Sequence, residues 1–195
     1  MKKELLLFGT YIFLCVVLVS SCEKESKDLP QQPGKEVIAP PAPIIIGQTY
    51  GGGTVFYLDN TGKHGLTVTA INVGATFPWG SADMIATQAT GTAVGSGPEN
   101  TIAIVNTLGQ GAYAASICDR LVVDGYDDWY LPSKDELQLM YQQKADGKLK
   151  GITGDFYWSS TEVSENAAVS LSFSTGANGS TSKQGNYNVC AVRAF

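Results

Sequence analysis

The spacing of apolar and polar residues predicts a β-hairpin shortly after residue 50. Residues 54–58 and 66–70 are short runs of β-branched, aromatic and aliphatic side chains. Between them, residues 59–65 are mostly Asp, Asn, Gly, Lys and His, a composition typical of turns. We therefore expect two strands joined by a loop and paired antiparallel.

The middle of the chain changes to helical spacing. Small and apolar residues recur through residues 99–121 at intervals compatible with a helix, and Gly109 and Gly111 interrupt them. Two helical pieces are therefore predicted in this stretch. Residues 74–98 are rich in Gly, Ala, Thr and Ser, and we expect them to be mostly loop.

A third helix is predicted from its capping residues. Ser133 and Glu136 have the spacing of a capping box, and three apolar residues follow at helical intervals. The helix is expected to run from Ser133 to about Lys144.

The C-terminal third returns to strand patterns, at residues 156–161, 168–174 and 189–193. In the middle run, the alternation predicts a buried face and a solvated face with small, uncharged side chains. The residues expected on the solvated face are Ala168, Ser170, Ser172 and Ser174. The predicted fold class is α+β.

The N-terminus has the layout of a secretory signal. Two lysines precede an apolar run from residue 5 to 19, which is shorter than the roughly 20 residues of a membrane-spanning helix. The residues before Cys22 resemble the lipobox of bacterial lipoproteins. This implies a signal peptide over residues 1–21, a lipid on Cys22, and a lipid-anchored, surface-exposed place at the outer membrane. The alternatives are an ordinary signal peptide cleaved near Ser21 and an uncleaved anchor.

The residues after Cys22 predict a linker and then one domain. Residues 23–46 begin with charged side chains and become rich in proline, so they cannot bury a core. We therefore assign residues 22–46 to the lipidated cysteine and a semi-extended linker. Residues 47–195 are enough for one domain with a core of its own.

The charge of the chain argues against polyanionic partners. The net charge is −5, and it becomes −6 when Lys2, Lys3 and Glu4 leave with the signal. Nucleic acids and anionic lipid surfaces are therefore not expected as partners, and contact with a membrane is expected through the lipid alone.

Residue patterns of catalysis and of cofactor binding are weak. The single histidine, His64, lies in a predicted turn with no Ser or Cys near it in sequence, so we expect a solvated loop residue and no enzyme. Residues 109–114 fit a dinucleotide-binding pattern, with Asp127 downstream. Because alternating strands and helices do not surround them, a helix break is the favoured interpretation and no cofactor is expected.

Two further groups of residues have a structural and a functional interpretation. Asp119, Asp124, Asp127 and Asp128 could bind calcium, but they lack the twelve-residue spacing of a calcium loop, so a solvated loop and no metal are favoured. The three tryptophans could stack on sugars, although packing inside the framework is favoured. These are Trp79, Trp129 and Trp158.

Five blocks of sequence, taken in order, resemble the C-terminal domain family of collagen-like bacterial adhesins, the Lcl C-terminal family. The blocks are Gly52-Gly53-x-Val55-Phe56-Tyr57, Gly97-x-x-Asn100-Thr101, Asp128-Trp129-Tyr130-Leu131-Pro132-Ser133-x-Asp135-Glu136-Leu137, Tyr157-Trp158-Ser159-Ser160-Thr161-Glu162 and Ala191-Val192-Arg193-Ala194-Phe195. The resemblance implies a C-type-lectin-like α+β fold, in which two helices flank a small, mostly antiparallel sheet with long loops. In that fold, the late strands and loops present a ligand.

The last 39 residues also resemble the variable proteins of diversity-generating retroelements, in which fixed framework positions alternate with varying ones. Ser, Thr and Asn make up 15 of these residues, as mutation at adenine-rich codons would favour. The alternative is a Ser/Thr-rich surface hairpin without diversification. The resemblance implies that the ligand-binding positions are Val163, Ser164, Glu165, Ala168, Ser170, Ser172, Ser174, Thr175, Asn178, Ser180, Ser182, Gln184, Asn186, Tyr187 and Asn188.

The domain contains two cysteines, Cys118 and Cys190, and the sequence is compatible either with a disulfide between them or with two buried free thiols. In relatives, cysteine often occupies the place of Ala191. A shift of one residue along a strand turns the side chain to the opposite face. A bridge carried over from relatives is therefore doubtful.

Two functions fit the sequence. The first is a display module that captures an unknown protein or glycan ligand at the cell surface through residues 163–188, with loss of capture when Ser170, Ser172 and Tyr187 are replaced together. The second is an adhesin of fixed specificity for host or microbial glycans.

Overall fold

Three helices and seven strands lie within residues 42–70 and 75–195, the part of the chain that the computed structural model describes. The predicted signal peptide, Cys22 and most of the predicted linker lie outside the described residues. Within the described residues, every helix is too short or too polar to cross a bilayer. In chain order the elements are β1 Thr49–Tyr50, β2 Gly53–Leu58, β3 Gly65–Ala70, α1 Gly97–Leu108, α2 Ala114–Asp119, α3 Lys134–Ala145, β4 Phe156–Ser164, β5 Ala167–Ser172, β6 Asn178–Ser182 and β7 Cys190–Ala194.

The first sheet joins the start of the domain to its end. Its strands are antiparallel in the order β1-β2-β3-β7, so the predicted β2–β3 hairpin is confirmed. Asp59 starts the connecting turn, because its carboxylate accepts hydrogen bonds from the backbone N–H and the hydroxyl of Thr61, at 2.9 and 2.7 Å. In β3, Val68 pairs with Val192 of β7.

The second sheet is a three-stranded antiparallel meander in the order β4-β5-β6. β5 is its central strand, with Ser170 between Trp158 of β4 and Gly179 of β6. Strand β6 was not predicted, because a run of Asn, Gly, Ser and Thr has little strand propensity of its own. Its pairing with β5 forms it.

The predicted solvated face of β5 is wrong for three of its four residues. Ala168 is fully buried and Ser170 and Ser172 are 4% exposed, while Ser174 is exposed. Ala168 packs in a cluster with Trp79 and other apolar side chains brought by distant parts of the chain. Tertiary contacts therefore cover a face that the period-two pattern marks as polar.

The start of α3 and the end of α1 lie where the local residues predict. Helix α3 starts with the capping box: Ser133 Oγ accepts from the N–H of Glu136 at 3.3 Å, and Glu136 Oε2 accepts from the N–H of Ser133 at 2.7 Å. The predicted break between two helical pieces is also confirmed. Helix α1 ends at Leu108, and Gly109 has a positive φ of 70° that favours glycine.

Strand β7 separates two core clusters and explains the state of the cysteines. Ala191 packs in one cluster with Cys118, whereas Cys190 faces the other, with its Sγ 3.8 Å from Met140 Sδ. Cys118 Sγ lies 3.7 Å from the carbonyl O of Cys190. Both cysteines are buried free thiols, so the alternative of a disulfide is not realised in this structure.

Candidate functional site

The predicted ligand-binding residues occupy two ends of the second sheet. Val163, Ser164 and Glu165 are exposed at the turn between β4 and β5, where Ser164 pairs with Ala167. The turn between β5 and β6 lies at the other end, where Leu171 pairs with Asn178. The fifteen positions therefore do not form a single patch.

Most of the remaining predicted positions are accessible. Those with exposed side chains are Ser174, Thr175, Asn178, Ser180, Ser182, Gln184 and Asn186, while Tyr187 and Asn188 are half-buried. The buried positions are the three residues of β5 named above. Replacing Ser170, Ser172 and Tyr187 together would therefore disturb packing as well as any ligand contact.

A cavity of about 320 Å³ brings five of the predicted positions together beside the β5–β6 turn. Its size is at the lower end of that of small-molecule sites, enough for one group of a larger ligand. Five of its ten lining residues carry hydroxyls, one carries a carboxylate and one carries an aromatic ring. The lining residues are Asp155, Phe156, Ser170, Ser172, Ser174, Thr175, Ala177, Asn178, Gly179 and Thr181.

Asp155 is the carboxylate of this cavity and organises the adjoining turn. Its Oδ1 atom accepts hydrogen bonds from the Ser172 hydroxyl at 2.9 Å and from the Ser174 N–H at 3.1 Å. These bonds, the Ser172 hydroxyl first, lower the pKa of Asp155. The exposed side chain is therefore an anionic acceptor at neutral pH, held in one orientation by the turn.

Ser170 and Ser172 contribute to the cavity through hydroxyls that already have protein partners. Ser170 Oγ lies 2.8 Å from Thr181 Oγ1, and Ser172 Oγ also accepts from the N–H of Thr175 at 3.3 Å. Ser172 is thus mainly a residue of the turn. Ser172 was predicted to contact ligand from a solvated face, but its hydroxyl is already engaged in hydrogen bonds within the turn.

An aromatic stack leads from the core to the wall of the cavity. The Trp158 ring packs on Tyr187 with centroids 4.7 Å apart, and Tyr187 packs on Phe156 at 5.4 Å. Trp158 is fully buried, whereas Phe156 is 42% exposed. The stack holds an aromatic ring at the surface beside Asp155.

Glu162 and Lys183 form a buried ion pair, and both are adjacent in sequence to predicted ligand-binding positions. Lys183 Nζ lies 2.5 Å from Glu162 Oε1 and donates to the carbonyl O of Ile85 at 3.0 Å. Glu162 also accepts from the backbone N–H groups of Thr87 and Gln88, at 2.8 to 3.0 Å. Burial alone would raise the pKa of Glu162, but the hydrogen bonds from Lys183 and Thr87 lower it.

The residues before Glu162 connect the irregular segment 77–91 to β4. The carbonyl O of Ser159 accepts from Trp79 Nε1 at 2.8 Å, and the hydroxyl of Thr161 donates to the carbonyl O of Gly91 at 2.8 Å. Asn100 of α1 holds Gly91 through both its amide atoms. This sequence block is therefore framework that orders a long loop. The preference for framework packing over sugar stacking agrees with the burial of the tryptophans, Trp79, Trp129 and Trp158.

The acidic residues near Asp128 lie against another part of the surface. Asp128 pairs with Arg193, whose guanidinium stacks on Tyr126 at 3.8 Å from the ring centre. Asp119, Asp127 and Asp128 line a cavity of about 230 Å³, which does not include Asp124. Among the described residues, no three His, Cys, Asp or Glu side chains come close enough together to hold a metal ion.

The remaining residues considered for chemistry have structural positions. His64 is exposed in the β2–β3 turn, as predicted. Residues 109–114 join α1 to α2 and follow a helix instead of a strand, which agrees with the favoured interpretation as a helix break. Neither feature lies in the cavity beside Asp155.

Five residues of the cavity were not predicted as site residues: Asp155, Phe156, Ala177, Gly179 and Thr181. Asp155 precedes the predicted strand, and Thr181 lies in the unpredicted β6. Phe156 was predicted to be in a strand, but only the register with Ser172 places it on this face. The one signal in the sequence was a polar residue, Asp155, followed by an aromatic residue, Phe156, at the start of a predicted strand. This combination is too common to identify a site.

Comparison with known families gives one match. A family model described as the Lcl C-terminal domain matches residues 76–193. The matched range includes the loop 77–91, all three helices and the second sheet. Curated proteins show no match to the chain.

Proposed function

Because the chain belongs to the Lcl C-terminal domain family, we propose that it is a bacterial surface adhesin whose C-terminal domain displays a variable ligand-binding face. The observation that carries the proposal is the cavity beside the β5–β6 turn. It combines polar side chains of a turn and an edge strand with a framework that is held by hydrogen bonds such as that from Trp79 Nε1 to the carbonyl O of Ser159. A rigid framework under accessible polar side chains is a design for binding.

Binding is a better explanation of this surface than catalysis. The cavity is lined by hydroxyls, one carboxylate and one aromatic ring, and it holds no His, Cys or Lys among its lining residues. A hydroxyl nucleophile needs a strong enough base beside it, and the base available to Ser172 is Asp155, whose lowered pKa makes it a weak one. We therefore propose a non-enzymatic binding domain that needs no cofactor.

The place that we propose for the domain is the outer surface of the cell. The residues before Cys22 resemble a lipobox, and the proline-rich stretch before the domain would hold it away from the membrane. The partner would be a protein or a glycan at a cell surface, and the membrane would be contacted through the lipid alone. The acidic net charge makes nucleic acid an unfavourable partner.

Diversification by a retroelement is the finer part of the proposal. It is supported by the exposed Ser, Thr and Asn side chains on β6 and in its flanking turns, which contrast with the buried residues of the neighbouring strand β5. The nucleotide sequence of the locus tests it. We expect a reverse-transcriptase gene and a near-copy of codons 157–195 that differs only at adenines; a locus with neither would leave an adhesin of fixed specificity.

Adhesion of cells that display the full chain tests the binding face itself. We would replace Thr175 and Asn178, both exposed at the cavity, with arginine to block it. The matched control places arginine at Asn106 and Thr107, which are exposed on α1 outside the cavity. Adhesion to immobilised glycoproteins, polysaccharides and whole bacterial cells should fall at least tenfold for the first pair and stay unchanged for the second. Equal adhesion by both would contradict the proposal.

The second candidate function is a glycan-binding adhesin of fixed specificity. The exposed ring of Phe156 beside the carboxylate of Asp155 favours it, because sugars present apolar C–H faces next to hydroxyl donors. In this case the locus would carry no near-copy of the segment, and the same residues would occur in every strain.

A further inference from the structure

We infer that Asp155 and Phe156 form a metal-independent subsite for one uncharged, hydroxyl-rich sugar unit of a glycan. The inference rests on the proposed function and names the ligand class of the same cavity. Both residues precede the segment from residue 157 onward that resembles a variable region, so they would be constant contacts beside changeable ones.

The hydrogen-bonding groups of the cavity fit an uncharged polyol. Asp155 uses Oδ1 for its bonds to Ser172 and Ser174, and among the described residues Oδ2 has no hydrogen-bond donor assigned to it. An oriented carboxylate oxygen is a strong acceptor for a sugar hydroxyl. The surrounding Ser and Thr hydroxyls can donate or accept, as sugar hydroxyls also can.

The aromatic wall fits the other half of a sugar surface. Phe156 is 42% exposed and is backed by Tyr187, so its accessible face is held in place by packing on the other side. An apolar C–H face of a pyranose can lie on such a ring while its hydroxyls reach the polar lining. The ring lies next to Asp155 in sequence, and both line the same cavity.

The charge of the cavity disfavours the anionic glycans. None of its ten lining residues is Lys, Arg or His, and its one ionised group is a carboxylate. The neighbouring cation Lys144 contributes to the lowered pKa of Asp155, but it does not line the cavity and donates to the carbonyl O of Phe173 at 3.4 Å. A sulfated or carboxylated sugar would therefore meet like charge without a cation among the residues that it touches.

The geometry also makes calcium unnecessary. Asp155 is the single carboxylate among the lining residues, whereas a calcium site needs six to eight oxygen ligands, commonly from several carboxylates. Recognition would occur through direct hydrogen bonds and the aromatic face. Binding should therefore be the same in a chelator as in calcium.

The experiment measures binding of the purified full chain to immobilised neutral polysaccharides, namely mannan, dextran, galactan and chitin oligomers, with heparin as the sulfated reference. Asp155→Asn keeps an oxygen for Ser172 and Ser174 but replaces the free carboxylate oxygen with an amide nitrogen. Phe156→Leu keeps apolar volume and removes the flat ring. The matched control is Asp146→Asn, an exposed carboxylate near the end of α3 that lies outside the cavity.

We expect at least one neutral polysaccharide to bind equally in calcium and in a chelator. Asp155→Asn and Phe156→Leu should each weaken that binding at least tenfold, and Asp146→Asn should leave it unchanged. Thermal unfolding of each variant, with a midpoint close to that of the parent chain, separates loss of contact from loss of fold. If a cavity variant unfolds, Asn178→Arg blocks the same cavity from an exposed position and takes its place.

Three results would overturn the inference. They are retention of full affinity by the cavity variants, binding that requires calcium, and binding of heparin in preference to every neutral polysaccharide. If none of the neutral polysaccharides binds while adhesion of displaying cells still falls in the Thr175 and Asn178 double variant, the inference is wrong and the proposed function stands. If that adhesion is also insensitive to the double variant, both fail.

Discussion

Lys183 forms a buried ion pair with Glu162, and both side chains are 4% exposed. In sequence, Lys183 lies between the predicted ligand-binding positions Ser182 and Gln184. The ammonium also lies 4.5 Å from the centre of the Trp79 ring. Through Glu162 and the carbonyl O of Ile85, this one pair joins β4, the end of β6 and the irregular segment 77–91. A positively charged residue among polar surface residues is thus part of the framework that supports the proposed binding face.

Loss of one partner of this pair should destabilise the fold strongly. Lys183→Met leaves the Glu162 carboxylate buried without its cation, and we expect the free energy of unfolding to fall by about 3 to 5 kcal/mol. Urea unfolding measures the change. The control is Lys148→Met, which removes an ion pair with Asp146 whose side chains are half-exposed, and it should cost less than about 1 kcal/mol.

The double variant Glu162→Gln with Lys183→Met tests whether the two residues act as one unit. Because neither charge is then left alone, its loss of stability should be smaller than the sum of the two single losses. Two results would show that the pair contributes little. One is a loss of unfolding free energy in the double variant equal to the sum of the single losses, and the other is a Lys183→Met variant as stable as the Lys148→Met control.

The stability of the protein should depend on pH through Glu162. Its pKa is lowered below the ordinary value of 4.5 in the folded protein, so the unfolded chain binds its proton more readily. The stabilisation is fully present above pH 4.5 and is lost as the pH falls through the folded pKa. The stability gap between the parent chain and Glu162→Gln should therefore be largest at pH 7 and should shrink below pH 4.5.

Glu136 contributes with the opposite sign, so the comparison between parent and variant is needed to isolate Glu162. Burial raises the pKa of Glu136, which means that the folded state binds this proton more tightly than the unfolded chain. Acidification to about its ordinary value therefore favours folding at this site. A gap for Glu162→Gln that stays constant between pH 7 and pH 3 would contradict the assignment.

The cysteines should be unreactive in the folded protein. Burial raises the pKa of both the Cys118 and the Cys190 thiol, so little thiolate forms at neutral pH. An aromatic disulfide reagent should modify neither thiol in the native full chain once Cys15 and Cys22 are replaced by serine, and both after unfolding in urea. Rapid native labelling of either residue would contradict the structure.

A pair of substitutions should create the disulfide that the parent chain lacks. Ala191 shares a core cluster with Cys118, whereas Cys190 faces the other cluster. Ala191→Cys combined with Cys190→Ala should therefore form a disulfide with Cys118 under oxidising conditions, detected by non-reducing electrophoresis and mass spectrometry. Cys190→Ala alone is the control and should form none.

Anchoring through Cys22 is a prediction from the leader alone. In cells, Cys22→Ser should move the chain from the membrane fraction to the soluble fraction, and mass spectrometry of the parent chain should find acyl groups on Cys22. Cys15→Ser is the matched control and should leave fractionation unchanged. A Cys22 variant that stays in the membrane fraction would favour an uncleaved anchor.

Several elements could be predicted because their causes are local. The capping box of Ser133 and Glu136 starts α3, Gly109 ends α1, and the Asp59 turn joins β2 to β3. In each case, residues within a few positions supply the hydrogen bond or the backbone conformation. The α+β class followed from the same local signals.

The cavity beside the β5–β6 turn could not be predicted in the same way. Its lining comes from Asp155 and the start of β4, from β5, from β6 and from the turn between β5 and β6, so it depends on register across the whole sheet. A polar residue in an alternating strand is expected at the surface, but Ser170 and Ser172 are buried by neighbours that are distant in sequence or wound into a turn. Burial is a property of what packs against a side chain, which local spacing does not contain.

The sequence by itself determined the start of α3, the end of α1, the first hairpin and the family, since these depend on short-range hydrogen bonds, on local backbone conformation and on blocks of contiguous residues. Only the tertiary structure decided that Glu162 and Lys183 pair, that Cys118 and Cys190 face different clusters, and that Asp155 and Phe156 share a cavity. Each of these depends on which residues of separate strands and loops come into contact, and that is set by the packing of the complete domain.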